Sequence, residues 1–150
     1  MKPGLKLAIL GVILLLLDQL TKWYIRSSMA VAESNPIINN IFHITFVQNT
    51  GGVWGLFKGN VSLMIWLSIA ALGFIMYFED SFPKTKLSQL FLVFVVIGLV
   101  GNLIDRIFLG YVTDFVDFRI WPVFNLADSL VSIGVAGLVI FTFIHDKTKK

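Results

Sequence analysis

Four apolar runs, at about residues 5–25, 61–78, 87–104 and 124–144, are each long enough to cross a bilayer as a helix. About 20 residues, in a range of 17–25, cover the roughly 30 Å of hydrocarbon. Only 14% of the residues are charged and 57% are hydrophobic, whereas a soluble domain is roughly a quarter charged. Lipid is therefore the expected solvent. The first run starts beside lysines, as a secretory leader does, but its length and the three runs after it predict a retained span. The pattern predicts a mainly α, integral membrane protein: four transmembrane helices in a single domain over residues 1–150.

The connections differ in character. Residues 79–86 are short, charged and contain Pro83, which suits a tight turn between antiparallel helices. Residues 27–60 carry Asn35-Pro36 and Gly51-Gly52, with the alternating Ile41-Phe42-His43-Ile44-Thr45-Phe46-Val47 between them. That segment predicts a small strand-bearing cradle at the membrane surface. Residues 105–123 form a second short excursion, loop or helix, on the same side. Lys2, Lys6, Lys84, Lys86, Lys147, Lys149 and Lys150 fall on one side of the four spans, and Lys22, Arg26, Lys58, Arg106 and Arg119 on the other. The excess predicts both termini in the cytoplasm and the cradle outside. With no cysteine, disulfides, zinc–thiolate sites and thiol catalysis are excluded. The net charge of +3 comes without clustered basic and aromatic residues, so nucleic acid is not an expected partner.

The informative residues are the polar ones in apolar surroundings. A charge inside a span costs about 2.5–3.5 kcal/mol on insertion scales and usually faces a bundle interior. Asp18 and Lys22, four apart, share a helix face, either as a self-neutralising pair or as part of a site. Gly98, Asn102, Asp105 and Arg106 follow at spacings of four, three and one along the end of the third run. Packing at the glycine and an Asp105–Arg106 pair would explain that stripe structurally. Asn125 and Asp128 resemble a helix cap with an acid at its third position. Ser132 continues their face. Asp114 and Asp117 point to opposite sides if extended and to one side if helical, and one of them is expected at the surface.

Serine–histidine catalysis has little to rest on, because His43 and His145 fall on opposite sides of the expected topology. Paired carboxylates remain. Two aspartates in close contact cannot both ionise easily; the charged one can activate water while the protonated one polarises a carbonyl. Asp114 and Asp128 meet if the intervening chain folds back over the fourth helix. A carboxylate-bound Mg²⁺ or an ion pathway could use the same acids.

Five ordered boxes add a resemblance over nearly the whole chain. They are Leu17-Asp18-Gln19-Leu20-Thr21-Lys22, Asn49-Thr50-Gly51-Gly52-Val53-Trp54-Gly55, Gly98 through Gly101-Asn102-Leu103-Ile104-Asp105-Arg106, Gly110-Tyr111-Val112-Thr113-Asp114-Phe115, and Phe124-Asn125-Leu126-Ala127-Asp128-Ser129. Together they resemble lipoprotein signal peptidase, signal peptidase II. The resemblance implies a monomeric aspartic endopeptidase of the bacterial inner membrane, free of metal and cofactor, with its active site near the outer face. It would remove signal peptides from prolipoproteins ahead of a diacylglyceryl-modified cysteine. Asp114 and Asp128 would be the catalytic dyad, and Asn49, Gly51, Asn102, Arg106, Asn125 and Ala127 would line or brace it. Asp18 and Lys22 would support it. On the residue pattern itself Asp105 is a further bracing acid, paired to Arg106, and Asp117 is incidental. Membrane lipid and globomycin-like peptide inhibitors are the further expected partners. Placement at a helix N-terminus favours Asp128 as the charged member. One departure stands out: Gly52-Val53-Trp54 replaces the family's usual two alanines and an aromatic, removing one methyl and adding bulk beside it.

Overall fold

The computed structural model describes residues 3–52, 57 and 59–147. Its elements run α1 (Pro3–Ser28), β1 (Ser34–Ile38), β2 (Phe42–Asn49), α2 (Val61–Phe78), a single 3-10 turn (Glu79–Ser81), α3 (Lys86–Leu109), β3 (Val112–Asp117) and α4 (Leu126–Lys147). All four helices are long and apolar enough to span a membrane. Val53, Trp54, Gly55 and Lys58, and with them part of the second box, lie outside the described residues, as do Lys2, Lys149 and Lys150.

Local chemistry sets the helix ends. Asn60 caps α2, its side-chain oxygen accepting from the Leu63 amide at 3.2 Å, and the charged turn with Lys84–Asp80 at 2.7 Å follows its last residue. Thr85 caps α3 through the Ser88 amide. At its other end α3 runs a full turn past residue 104, because Asp105 and Arg106 are buried in the bundle. It stops at Gly110, which takes the left-handed conformation (φ +78°) that favours glycine at a helix end.

Helix α3 is the hub, and α1, α2 and α4 each pack against it. Lipid offers no hydrophobic drive for helices to associate, so close approach at small residues does that work. A Cβ on Gly98 would collide with the Ala127 carbonyl oxygen, and one on Gly134 would sit 2.8 Å from the Phe91 carbonyl oxygen. Helix α2 leans on α3 and leaves α1 and α4 nearly untouched among the described residues.

The two excursions do not stand apart. Strand β3 joins the cradle as its third strand, in the antiparallel order β1-β2-β3, with Val47 opposite Asp114 and Asn49 opposite Val112. Ile25 of α1, Phe46 of β2 and Phe115 of β3 form a small core with Met29, Ile44 and Val116 around it. Burying each such large side chain contributes about 1.5–3 kcal/mol, and this core fastens the sheet to the end of α1.

Asp117 corrects an expectation. In an extended strand it does face away from Asp114, but it is neither at the surface nor incidental, being 4% exposed. Its carboxylate accepts from the Thr45 hydroxyl at 2.7 Å and from the Arg119 backbone and guanidinium at 2.8 and 3.0 Å. Burial alone would raise its pKa, but these bonds outweigh that and hold the carboxyl below its ordinary value. Asp117 thus fastens β3 to β2.

Candidate active site

Asp114 lies on β3 and Asp128 in the first turn of α4, and a backbone fold-back joins them. After β3 the chain returns at Phe124, whose carbonyl accepts from Phe115 and Val116 and whose amide donates to the Val116 carbonyl at 3.1 Å. This bridge sets Asn125 beside Asp114. Asn125 then caps α4: the Asp128 amide donates to its Oδ1 at 2.9 Å, and its own amide donates to Asp128 Oδ2 at 3.2 Å. That reciprocal pair is a capping box. The cap and the site are one object, because the box fixes the direction of the Asp128 carboxylate.

Three asparagines aim their NH₂ groups at the two acids. Asn125 Nδ2 donates to Asp114 Oδ1 at 2.7 Å, Asn49 Nδ2 to Asp114 Oδ2 at 2.8 Å, and Asn102 Nδ2 to Asp128 Oδ1 at 2.7 Å. Each amide is prevented from turning round by what its own oxygen accepts. Asn49 Oδ1 takes the amides of Gly51 and Gly52 at 3.0 and 2.9 Å. Asn102 Oδ1 takes Lys22 Nζ at 2.9 Å and Asn125 Nδ2 at 3.0 Å. Asn125 Oδ1 takes the Asp128 amide. Gly51 and Gly52 therefore act on the site through their N–H groups.

A buried ionic layer lies behind. Lys22 is fully buried, 2.9 Å from Asp18 and 3.5 Å from Asp105. Asp18 Oδ1 accepts the Ala127 amide at 2.9 Å, so a carboxylate of α1 supplies an acceptor to a free amide of α4. The expected Asp105–Arg106 pair is not formed. Consecutive helical residues point in different directions, and Asp105 instead accepts the Thr113 amide at 3.0 Å and faces Lys22 and Arg26, the latter at 3.8 Å. Arg106 turns the other way, onto the cavity described below.

Sequence reasoning missed three members of this layer. Gln19 bridges Asp18 to the Gly101 carbonyl, both at 3.1 Å. Arg26 donates to the Thr113 hydroxyl at 3.0 Å. Thr113 is the residue before Asp114, and its hydroxyl and amide are held by Arg26 and Asp105. Gln19 and Thr113 stand inside two of the boxes, which was the available signal. Arg26, four residues after Lys22 on the same helix face, had only that spacing to mark it.

Asp114 is 1% exposed. Burial, and then the charge of Asp128, push its carboxyl up from 3.8 to about 7, against the pull of its bonds from Asn49 and Asn125 and of the Lys22 charge. In front of the acids is a cavity of about 750 Å³ bounded by α2, α3, β3 and α4, with Asn49, Asn102, Arg106, Asp114 and Asp128 among apolar neighbours such as Leu67 and Val131. Ser132 also lines it. An acid titrating near neutrality, a second carboxyl held by the same asparagine, a guanidinium and an apolar trough can together handle an extended peptide.

Residues 10–144 match the family described as Signal peptidase (SPase) II. The chain belongs to the signal peptidase II family. It is 42% identical over 139 residues to a lipoprotein signal peptidase of Halothermothrix orenii, covering 93% of this chain and 96% of that one. It is 42% identical over 141 residues to the lipoprotein signal peptidase of Microcystis aeruginosa, covering 91% of each. A solved bacterial membrane enzyme, determined at 2.3 Å by the in meso method, superposes with a TM-score of 0.84 at 31% identity, over 97% of this chain and 91% of that one. As a family member the chain is a peptidase, a hydrolase of peptide bonds, and its four helices make it a multi-pass membrane protein.

Proposed function

We propose that this signal peptidase II family member removes the signal peptide of diacylglyceryl-modified prolipoproteins, cutting before the lipidated cysteine with Asp114 and Asp128. The observation that carries the reading is the shared asparagine: Asn125 donates to Asp114 and boxes with Asp128, so the two acids are built as one unit at the edge of an apolar cavity. Asn49, Asn102 and Asn125 hold the acids, Arg106 faces the peptide, and Asp18, Lys22, Asp105, Gly51 and Ala127 brace the frame.

In the proposed reaction Asp128 is the charged member and Asp114 holds the proton. Asp128 takes a proton from water as the water oxygen bonds to the scissile carbonyl carbon. Asp114 gives its proton to the carbonyl oxygen, forming a neutral tetrahedral gem-diol. As the C–N bond breaks, Asp128 passes its proton to the leaving nitrogen, the amine of the lipidated cysteine. The gem-diol returns a proton to Asp114, leaving the carboxyl end of the signal peptide. An acid titrating near the working pH suits this exchange.

The same reading places the chain as a single-domain monomer in the bacterial cytoplasmic membrane, with both termini inside and the acids near the outer face. A lipid-anchored substrate reaches such a site without leaving the bilayer, and a globomycin-like peptide fits it as a competitor. The test uses the full chain in lipid nanodiscs with a prolipoprotein carrying or lacking the diacylglyceryl group, and mass spectrometry to locate the cut. A single cut on the amino side of the modified cysteine, absent from the unlipidated form, is expected; equal cutting of both forms sinks the substrate assignment.

A further inference from the structure

The geometry points to Met64, seated in a recess provided by Gly52, as the wall that limits the size of the substrate side chain admitted next to the scissile bond. This rests on the proposed reaction at Asp114 and Asp128. Gly52 and Met64 line the same cavity as the two acids. Gly52 is in the left-handed region, φ +75°, and a Cβ built on it would lie 2.8 Å from Met64 Cε and 3.5 Å from its sulfur. The end of the methionine thus occupies the space a side chain at position 52 would fill.

The contact sits close to the chemistry. The Gly52 amide donates to Asn49 Oδ1, and Asn49 Nδ2 donates to Asp114, so two hydrogen bonds separate this wall from an acid of the dyad. The methionine is also free to act as a wall. It is half-buried in the first turn of α2, a helix held chiefly by α3, and its unbranched thioether adapts to irregular space. Its tip lies over Gly52 at the cavity wall, and any side chain at position 52 has to displace it. The departure of Gly52 from the family's usual alanine thereby becomes a change in pocket width. On one side of the cut the residue is the lipidated cysteine, so the wall acts on the variable residue before it.

The experiment measures kcat/KM in nanodiscs for diacylated prolipoproteins bearing Ala, Val, Leu or Phe before the cysteine, and reads the Ala/Leu ratio. One methylene in an apolar pocket changes such ratios by about tenfold or more. G52A should raise the ratio by about that factor and M64A should lower it. The double variant G52A/M64A should return to the M64A ratio, since the atom that transmits the clash is gone. M64F should raise the ratio with Gly52 intact, and so tests the wall even where G52A fails to fold. An unchanged ratio in both M64A and M64F overturns the proposal. So does a G52A/M64A ratio that stays at the G52A value; the backbone strain of a side chain at φ +75° lowers all four rates alike and leaves the ratio unmoved. Failure of the dyad reading looks different: D114N or D128N would then cut all four substrates like the wild type.

Discussion

Replacing Asp114 by asparagine should abolish cleavage and yet, above neutral pH, remove a stability penalty. A free aspartate titrates at 3.8, whereas Asp114 is pushed up to about 7 in the fold. Between those values the folded chain keeps a proton that the unfolded chain has released. Stability is therefore fully present below about pH 4, falls as pH rises, and reaches its floor above about pH 7. At 1.36 kcal/mol per pH unit the whole effect is about 4 kcal/mol, of which about 3 lies between pH 5 and 8. Asp114 is 1% exposed, so solvent screening does not reduce this much. Asparagine at position 114 does not titrate, but it carries one NH₂ where Asn49 and Asn125 both need an acceptor. That mismatch costs about 1–3 kcal/mol at every pH. The variant should be the less stable protein at pH 5 and gain about 3 kcal/mol on the wild type by pH 8. For a chain of this size that moves the difference in Tm by roughly 6–12 °C. Thermal unfolding of both proteins in one detergent across that range measures it. A gap that is the same at pH 5 and pH 8 would mean that Asp114 is charged throughout and cannot hold the proton assigned to it.

Three further outcomes follow from the frame. Asp18→Asn breaks a buried pair with Lys22 and weakens the acceptor for the Ala127 amide; a loss of about 3–5 kcal/mol is expected in chemical denaturation. Gly98→Ala drives a methyl into the Ala127 carbonyl and Val131, so overpacking should cost about 1–3 kcal/mol and lower kcat by displacing the turn that holds Asp128. Cleavage by the two carboxylates should persist in a strong chelator, measured on the diacylated prolipoprotein, and loss restored by a divalent ion would favour a metal site instead.

The helices and the candidate acids could be read from the sequence because their signals are local. Helix α2 occupies the apolar run between a capping Asn60 and a charged turn. The capping box of Asn125 and Asp128 lies within four residues. What could not be read depends on contacts far apart along the chain. The pairing of β3 with β2 joins residues some 65 positions apart through Asn49 and Asp114, and nothing in 112–117 alone announces a third strand. The same pairing buries Asp117 against Thr45. Asp105 and Arg106 look like an ion pair in sequence, but adjacent helical positions diverge, and Asp105 finds its partners, Lys22 and Arg26, on another helix. The end of α3 was obscured for a related reason: charges read as a span's end, while the bundle interior accepts them and Gly110 marks the stop.

The proposed reaction makes Asp114 and Asp128 a single reacting pair. Its most direct test is the cleavage rate of Asp114→Asn and Asp128→Asn, each in nanodiscs with the diacylated prolipoprotein, with retained binding of a globomycin-like peptide as the check that the cavity is intact. Loss of turnover in both variants is the predicted result. Turnover near the wild-type rate in either one would contradict it.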